Sequence, residues 1–268
     1  MTSSSKHLTA DDPKWDYSVQ KYKDHDPFCE PDLVSVLFLS CGRPDVTQQC
    51  LDATVQAASN YSGEIEWLFM EQGGSEENYR FFRDLPLQRK VIIQQDNYGI
   101  NNGLNQLWGL SRGEYCVVLE NDWVNARPEF DFLGVTRRIM EHKSGIGIVQ
   151  LRAIHDSNEN WGYMKPEYSP WSCNPAQLKS AGVTLFQEEV DGHPYLVSEF
   201  PNGFNNNPCM IRKSLYRECG PYPEPPLGTD PRHGETEYQG RVANSGCAIA
   251  HVGTELYYHC GQQTTPGV

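Results

Sequence analysis

The sequence contains no run of apolar residues near the ~18 needed to cross a bilayer as a helix. Its opening stretch, MTSSSKHLTADDPKWDYSVQ, lacks the apolar core of a secretory signal, so a soluble, cytoplasmic chain is expected. Basic residues are scarce. Lys and Arg number 22 against 35 Asp and Glu, a formal net charge of −13. A surface of that sign repels phosphate backbones, which argues against a nucleic-acid polymer as partner. It does not argue against a single nucleotide, because one pocket can hold a diphosphate through a metal ion and backbone N–H groups. The cysteines are nine, an odd number, with no C-x-x-C pair. Neither clustered zinc ligands nor a paired disulfide framework is indicated, and reduced, mostly buried thiols are expected. There is no internal repeat, and nothing in the pattern fixes an oligomeric state.

What is present is an alternation of short β-rich runs with helical periodicity. Residues 34–39 form a strand buried on both faces, ending in the turn Ser40-Cys41-Gly42-Arg43-Pro44-Asp45. Val46, Cys50, Leu51, Val55 and Ala58 then recur at helical spacing. Strands follow at 65–70, 91–93, 115–119 and 146–151, with helices around Tyr79 and Phe82, over 101–112 and over 130–141. Such alternation predicts an α/β fold, a mostly parallel central sheet with helices on both faces. Ligands of these sheets sit beyond the carboxyl ends of the strands. Four loops are therefore of interest: 40–45, 71–76, 96–101 and 120–123. Beyond residue 152 the pattern loosens into long loops with Trp161, Trp171 and an Asn-rich stretch at 202–208. Order returns at Cys209-Met210-Ile211-Arg212, in a helix at 235–245 and in strands near 247–252 and 255–259.

Each loop carries a polar group suited to a nucleotide-sugar. Glu71 ends a strand, where a carboxylate can accept from the imide N–H of uracil; the plain alternative is a solvated turn acid. Glu120-Asn121-Asp122 places two acids just past a buried strand, where they can face a hard divalent cation, Mn²⁺ or Mg²⁺. Transfer to a hydroxyl also needs a carboxylate base within hydrogen-bond reach. The candidates are Glu235 and Glu237, which could equally be acids favouring a helix N-terminus.

The order of these motifs resembles an inverting, family 2-type glycosyltransferase with the GT-A fold. The likeness is carried by Ser40-Cys41-Gly42-Arg43-Pro44, Glu71-Gln72-Gly73-Gly74-Ser75, Asn97-Tyr98-Gly99 with Asn105 and Gly113 at the family's spacing, Glu120-Asn121-Asp122, and Gly220-Pro221-Tyr222-Pro223-Glu224. It covers roughly residues 32–262. It implies a polar tail at 1–31, a nucleotide-sugar-binding half at 32–151, an acceptor-binding and catalytic half at 152–262 and a short tail at 263–268. By the same resemblance, Ser40, Cys41, Gly42, Arg43, Glu71, Asn97, Gly99, Asn105, Glu120 and Asn121 line the donor pocket. Asp122 ligates the metal, with His259 as a helper. Glu235 falls at the family's catalytic acid, counted back from Arg241. The chain departs from the pattern at Gly234, where the family has an acid, and at Glu235, where it has Asp; Glu237 therefore stays open as the base.

The expected reaction moves a sugar from a nucleoside diphosphate, UDP by resemblance, to a hydroxyl of a glycan or other acceptor. Two other readings remain. A sugar nucleotidyltransferase would show a Gly-rich basic phosphate loop, whereas 40–45 offers one Gly and one Arg. A catalytically inactive nucleotide-sugar or carbohydrate-binding module would explain the relaxed Glu120 and Gly234.

Overall fold

A computed structural model describes residues 29–152, 184–198, 204, 206, 208–224, 232–254 and 256–260. Its first half alternates as the periodicity predicts. Strand β1 (Glu30–Ser40) leads to helix α1 (Pro44–Ala58), β2 (Ile65–Glu71) to α2 (Glu76–Asp84), and β3 (Lys90–Gln94) to α3 (Ile100–Leu110). Then come β4 (Gly113–Glu120), a short β5 (Trp123–Asn125), α4 (Phe132–His142) and β6 (Ile146–Gln150). The second half contributes a hairpin of β7 (Leu185–Val190) and β8 (His193–Ser198), β9 (Cys209–Arg212), α5 (Lys213–Cys219), α6 (Arg232–Ser245), β10 (Ala248–Val252) and β11 (Tyr257–His259).

Nine strands join in the order β3-β2-β1-β4-β9-β6-β10-β8-β7. The pairs β3–β2, β2–β1, β1–β4 and β6–β10 are parallel, and β9 runs antiparallel between β4 and β6. Val34, Val36 and Phe38 of β1 pack on one face with Cys50 and Leu51 of α1, Phe82 of α2 and Phe132 of α4. Leu37 and Leu39 alternate to the other face, with Leu104 and Trp108 of α3, Leu215 of α5 and Tyr238 of α6. Both faces of β1 are thus closed to water, which is why its sequence is a continuous apolar run. Truncating Leu37 or Phe38 to Ala would cost ~2–5 kcal/mol.

Two boundaries differ from the sequence reading. β1 starts at Glu30, ahead of the apolar run, because Glu30 N–H donates to Arg112 O and its carboxylate meets Arg89 and Arg112. An irregularity between Glu30 and Val34, with Asp32 at φ 69, hides that pairing from the alternation. The β7–β8 hairpin was read as loop, although Asp191-Gly192 between two strand-like runs is a hairpin turn signal. Residues 1–28, Trp161, Trp171 and 261–268 lie outside the described residues. Among those described, no helix is long and apolar enough to cross a membrane.

The chain runs from β1 outward to β2 and β3, then returns through α3 to β4 on the other side of β1. The strand order therefore reverses between β1 and β4, and a crevice opens beyond their carboxyl ends. The ribbon of β5 and β11 lies at that end. Its register pairs His259 with Trp123, so His259 arrives beside Asp122.

Candidate active site

The first two strand-end loops are held together by one buried carboxylate. Glu71 Oε1 accepts from the N–H groups of Gly42 (3.0 Å), Gly73 (2.7 Å) and Ser75 (3.4 Å). Its Oε2 accepts from Ser40 Oγ (2.6 Å) and Asn78 Nδ2 (2.7 Å). The side chain is fully buried. The imide-reading role expected of Glu71 thus meets a carboxylate already engaged by five protein donors. Gly73 is obligatory here. A Cβ on it would stand 2.3 Å from Gly42 N, so no larger residue lets the two loops touch.

Asn121 is the second hub. Its Nδ2 donates to Thr47 Oγ1 (2.8 Å) and Gly42 O (3.2 Å), and its Oδ1 accepts from Arg43 Nη2 (2.9 Å). Arg43 precedes α1 in the left-handed region, at φ 53, with Pro44 opening the helix after it. A non-glycine residue held there is strained. The strain accompanies a guanidinium aimed across the switch point, at 3.1 Å from Asp122 Oδ2.

Asp122 is buried and faces Arg43 Nη2 (3.1 Å) and His259 Nε2 (3.3 Å) through one oxygen. Its other oxygen, Oδ1, is buried without a hydrogen-bond partner. Burial opposes ionisation of Asp122, but the hydrogen bond and charge of His259, with Arg43, outweigh it and hold the carboxyl below its usual range. A carboxylate with an orphaned oxygen beside an imidazole is a donor set that suits Mn²⁺ or Mg²⁺. Among the described residues no group of three or more His, Cys, Asp and Glu gathers as a complete protein cage. Cations bound by one or two protein ligands take the rest of their shell from water and substrate phosphate.

Glu120 shares the sheet face of Cys116 and Val118, toward α6. Burial and the negative charges of Asp122 and Glu235 push its carboxyl up to about 8. Glu235, in the first turn of α6, adds its negative charge at Glu120. Its Oε1 accepts from Asn206 N–H (3.1 Å). Gly234 explains one departure from the family pattern. A Cβ there would sit 1.8 Å from Asn101 Nδ2, so the absence of a side chain lets the start of α6 dock against the start of α3. Glu237 turns away. Two residues along a helix face nearly opposite sides, and its Oε1 pairs with Arg241 Nε (3.1 Å) and Nη2 (2.5 Å).

Asn105 is placed elsewhere than expected. It is fully buried, and its Oδ1 accepts from Tyr222 N–H (2.7 Å) and the Tyr216 hydroxyl (3.2 Å). Its Nδ2 donates to Tyr222 O (2.8 Å) and Glu224 Oε1 (3.0 Å). All four valences of the amide are used, so it ties α3 to the 220–224 turn and has none left for a nucleotide. Ser40 and Asn121 are likewise buried and bonded to protein. The groups of the expected donor set that face solvent are Cys41, Asn97 and, in part, Gly42, Arg43, Gly99 and Glu120. Asn97 Nδ2 reaches Cys41 Sγ at 3.6 Å, and its Oδ1 accepts from Gly99 N–H at 2.9 Å.

Sequence reasoning missed Arg152. It follows β6, is buried, lies 4.5 Å over the Trp123 ring and contributes positive charge at Glu120. The rule that ligands gather at strand ends would have found it had the loop after 146–151 been counted with the other four.

No family model and no curated protein matches the chain. Solved structures do. TarS residues 1–349 from S. aureus align with a TM-score of 0.55 at 9% identity, covering 84% of this chain and 60% of that one. The same protein in complex with UDP-GlcNAc gives 0.54 at 11% identity, covering 87% and 59%. Mannosyltransferase PcManGT from Pyrobaculum calidifontis, in complex with GDP-Man and Mn2+, gives 0.51 at 13%, covering 88% and 60%. The chain spans about 60% of the length of these structures. The likeness shows the fold alone, the GT-A architecture of these structures.

Proposed function

We propose that the chain is an inverting glycosyltransferase that takes a sugar from a nucleoside diphosphate and passes it to a hydroxyl of a glycan or other acceptor. The observation that carries this reading is the meeting of Arg43, Asp122 and His259 at the switch point, with Asp122 Oδ1 buried and unbonded among the described residues. The alternative of a nucleotidyltransferase gains no Gly-rich basic loop from residues 40–45.

Asp122 and His259 would hold a divalent cation, Mn²⁺ or Mg²⁺, which when bound supplies positive charge to the departing diphosphate. Arg43, fixed by Asn121, adds a second positive group on the same side. The nucleotide lies over the exposed rim of Cys41, Asn97 and Tyr98, with the buried Glu71 shaping that rim from beneath. UDP is the first donor to test, since TarS is seen with UDP and UDP-GlcNAc, and GDP the second, since PcManGT is seen with GDP-Man.

Glu235 is the base. The acceptor oxygen forms a bond to the anomeric carbon while its proton passes to the Glu235 carboxylate. The bond from the anomeric carbon to the diphosphate breaks on the opposite side, inverting the centre. Glu237, neutralised by Arg241, is the weaker candidate. The test is a thermal-shift panel of nucleoside diphosphates with Mn²⁺, followed by donor turnover. Stabilisation by UDP or GDP with Mn²⁺ that Asp122→Ala removes is the expected result. Equal stabilisation in excess chelator would sink the metal assignment.

A further inference from the structure

Two thiols meet just behind the site, and no part of the proposed reaction uses them. Cys50 lies on α1, fully buried, and Cys260 follows His259 at the end of β11, half-buried. Their Sγ atoms are 3.7 Å apart, across 210 residues of sequence. Cys260 is held in that place by its backbone, since its N–H donates to Asp122 O at 2.8 Å and its Sγ faces the same oxygen at 3.3 Å.

We propose that Cys50 and Cys260 are a reversible disulfide site that clamps the strand carrying His259 onto α1. A disulfide requires S–S of ~2.05 Å, roughly 1.7 Å closer than the present 3.7 Å, a change that side-chain rotation of two facing cysteines can supply. No disulfide is formed among the described cysteines, so this is the reduced form. The co-reactant is a low-molecular-weight disulfide such as oxidised glutathione. Cys260, the more accessible sulfur, attacks it as thiolate, forming a mixed disulfide and releasing one thiolate. Cys50 loses its proton and displaces the second thiolate, closing the protein disulfide. The two cysteines give up two electrons and two protons, and the small disulfide is reduced to two thiols.

The clamp matters because β11 is three residues long, and among the described residues it is held by the three-residue β5 and, at Tyr257, by a single bridge to Arg152. A strand so short opens readily, and His259 opens with it. A covalent tie to α1 links His259 to the helix that begins next to Arg43, so both groups facing Asp122 become anchored to one element. The cross-link itself stands apart from the glycosyltransferase reading; only the value of a fixed His259 rests on it.

The full chain would be incubated with oxidised glutathione, quenched with an alkylating agent and digested. A peptide containing Cys50 joined to one containing Cys260, and released by dithiothreitol, is expected. The oxidised chain should also unfold several degrees higher than the reduced chain, a shift that Cys50→Ser abolishes. Alkylation of both Cys50 and Cys260 after oxidation overturns the proposal, as does pairing of either with another cysteine such as Cys41, Cys219 or Cys247. Amide exchange at Cys260 should slow in the cross-linked chain. Unchanged exchange there would overturn the clamp while leaving nucleotide binding, and so the functional reading, unaffected.

Discussion

The two sides of the β1–β4 switch point treat their polar groups differently. At the ends of β1 and β2 the carboxylate of Glu71 is bonded by five protein donors and the Ser40 hydroxyl makes two contacts, and the only orphaned atoms nearby among the described residues are the amide oxygens of Asn78 and Asn101. Where β11 and α6 arrive, it is carboxylate oxygens that are buried without a partner among the described residues, Asp122 Oδ1 and Glu237 Oε2. Burial without a hydrogen bond costs free energy. The first side is a finished scaffold that presents backbone and a few rim groups. The second holds its charges in an arrangement that only a ligand or a cation completes. The contrast teaches that donor shape and chemistry are separate constructions here, and that each should fail separately.

The largest expected effect is on the chemical side. Glu235→Gln keeps the shape and the Asn206 contact but removes the proton acceptor, so kcat should fall by ~10²–10⁴-fold while donor affinity is retained. Glu237→Gln is the control. It should lose roughly 1–3 kcal/mol of stability, measured by urea unfolding, as the charged bonds to Arg241 weaken, with kcat preserved. A kcat collapse in Glu237→Gln with Glu235→Gln active would exchange the two roles.

Gly234→Ala joins the two sides. The added methyl meets Asn101 Nδ2, so α6 must shift away from α3 or Asn101 must leave Pro223 O. A stability loss of ~1–3 kcal/mol is expected from the overlap. A drop in kcat beyond it is also expected, because Glu235 moves with the helix start. Normal kcat in a destabilised Gly234→Ala would mean that the position of α6 does not set the base. On the scaffold side, Asn105→Ala removes its bonds to Tyr222 N–H and O, the Tyr216 hydroxyl and Glu224, and should cost roughly 1–3 kcal/mol. Nucleotide affinity should not change in that variant, and calorimetric titration of a nucleoside diphosphate distinguishes this from a direct contact.

The same division governs what the sequence made legible. Strand–helix alternation located β1 to β4 and β6 within a few residues, because both-face burial writes itself as apolar runs, whereas the three-residue β5 has no such run and reads as loop. The four loops were found for the same reason. Hydrogen-bond saturation was not legible: whether Glu71 or Asn105 faces a ligand or the protein depends on partners such as Gly42, Asn78 and Tyr222, up to 117 residues away. The choice between Glu235 and Glu237 was equally closed to sequence, since it turns on the helix face that Arg241 occupies. Arg152 has no local signal in the sequence, because a single arginine after an apolar run does not show the Trp123 ring it covers. The Gly234 departure, which suggested lost activity, is explained by the close approach of Asn101.

The smallest effect tests the electrostatics of the unfinished side. A glutamate ionises in the unfolded chain near its model value of 4.5, whereas folding pushes Glu120 up to about 8, through burial first and then the charges of Asp122 and Glu235. Between those values the folded chain holds a proton that the unfolded chain has released. Stability therefore falls as pH rises from the lower to the higher value, and it levels off above. Glu120→Gln removes this dependence. In chelator, so that no cation reaches Asp122, its melting temperature should exceed that of the parent by an amount that grows between about pH 5 and about pH 8. Parallel melting curves across that window would show that Glu120 is not held against its neighbours' charge, and that the carboxylates of this side are farther apart in energy than their positions imply.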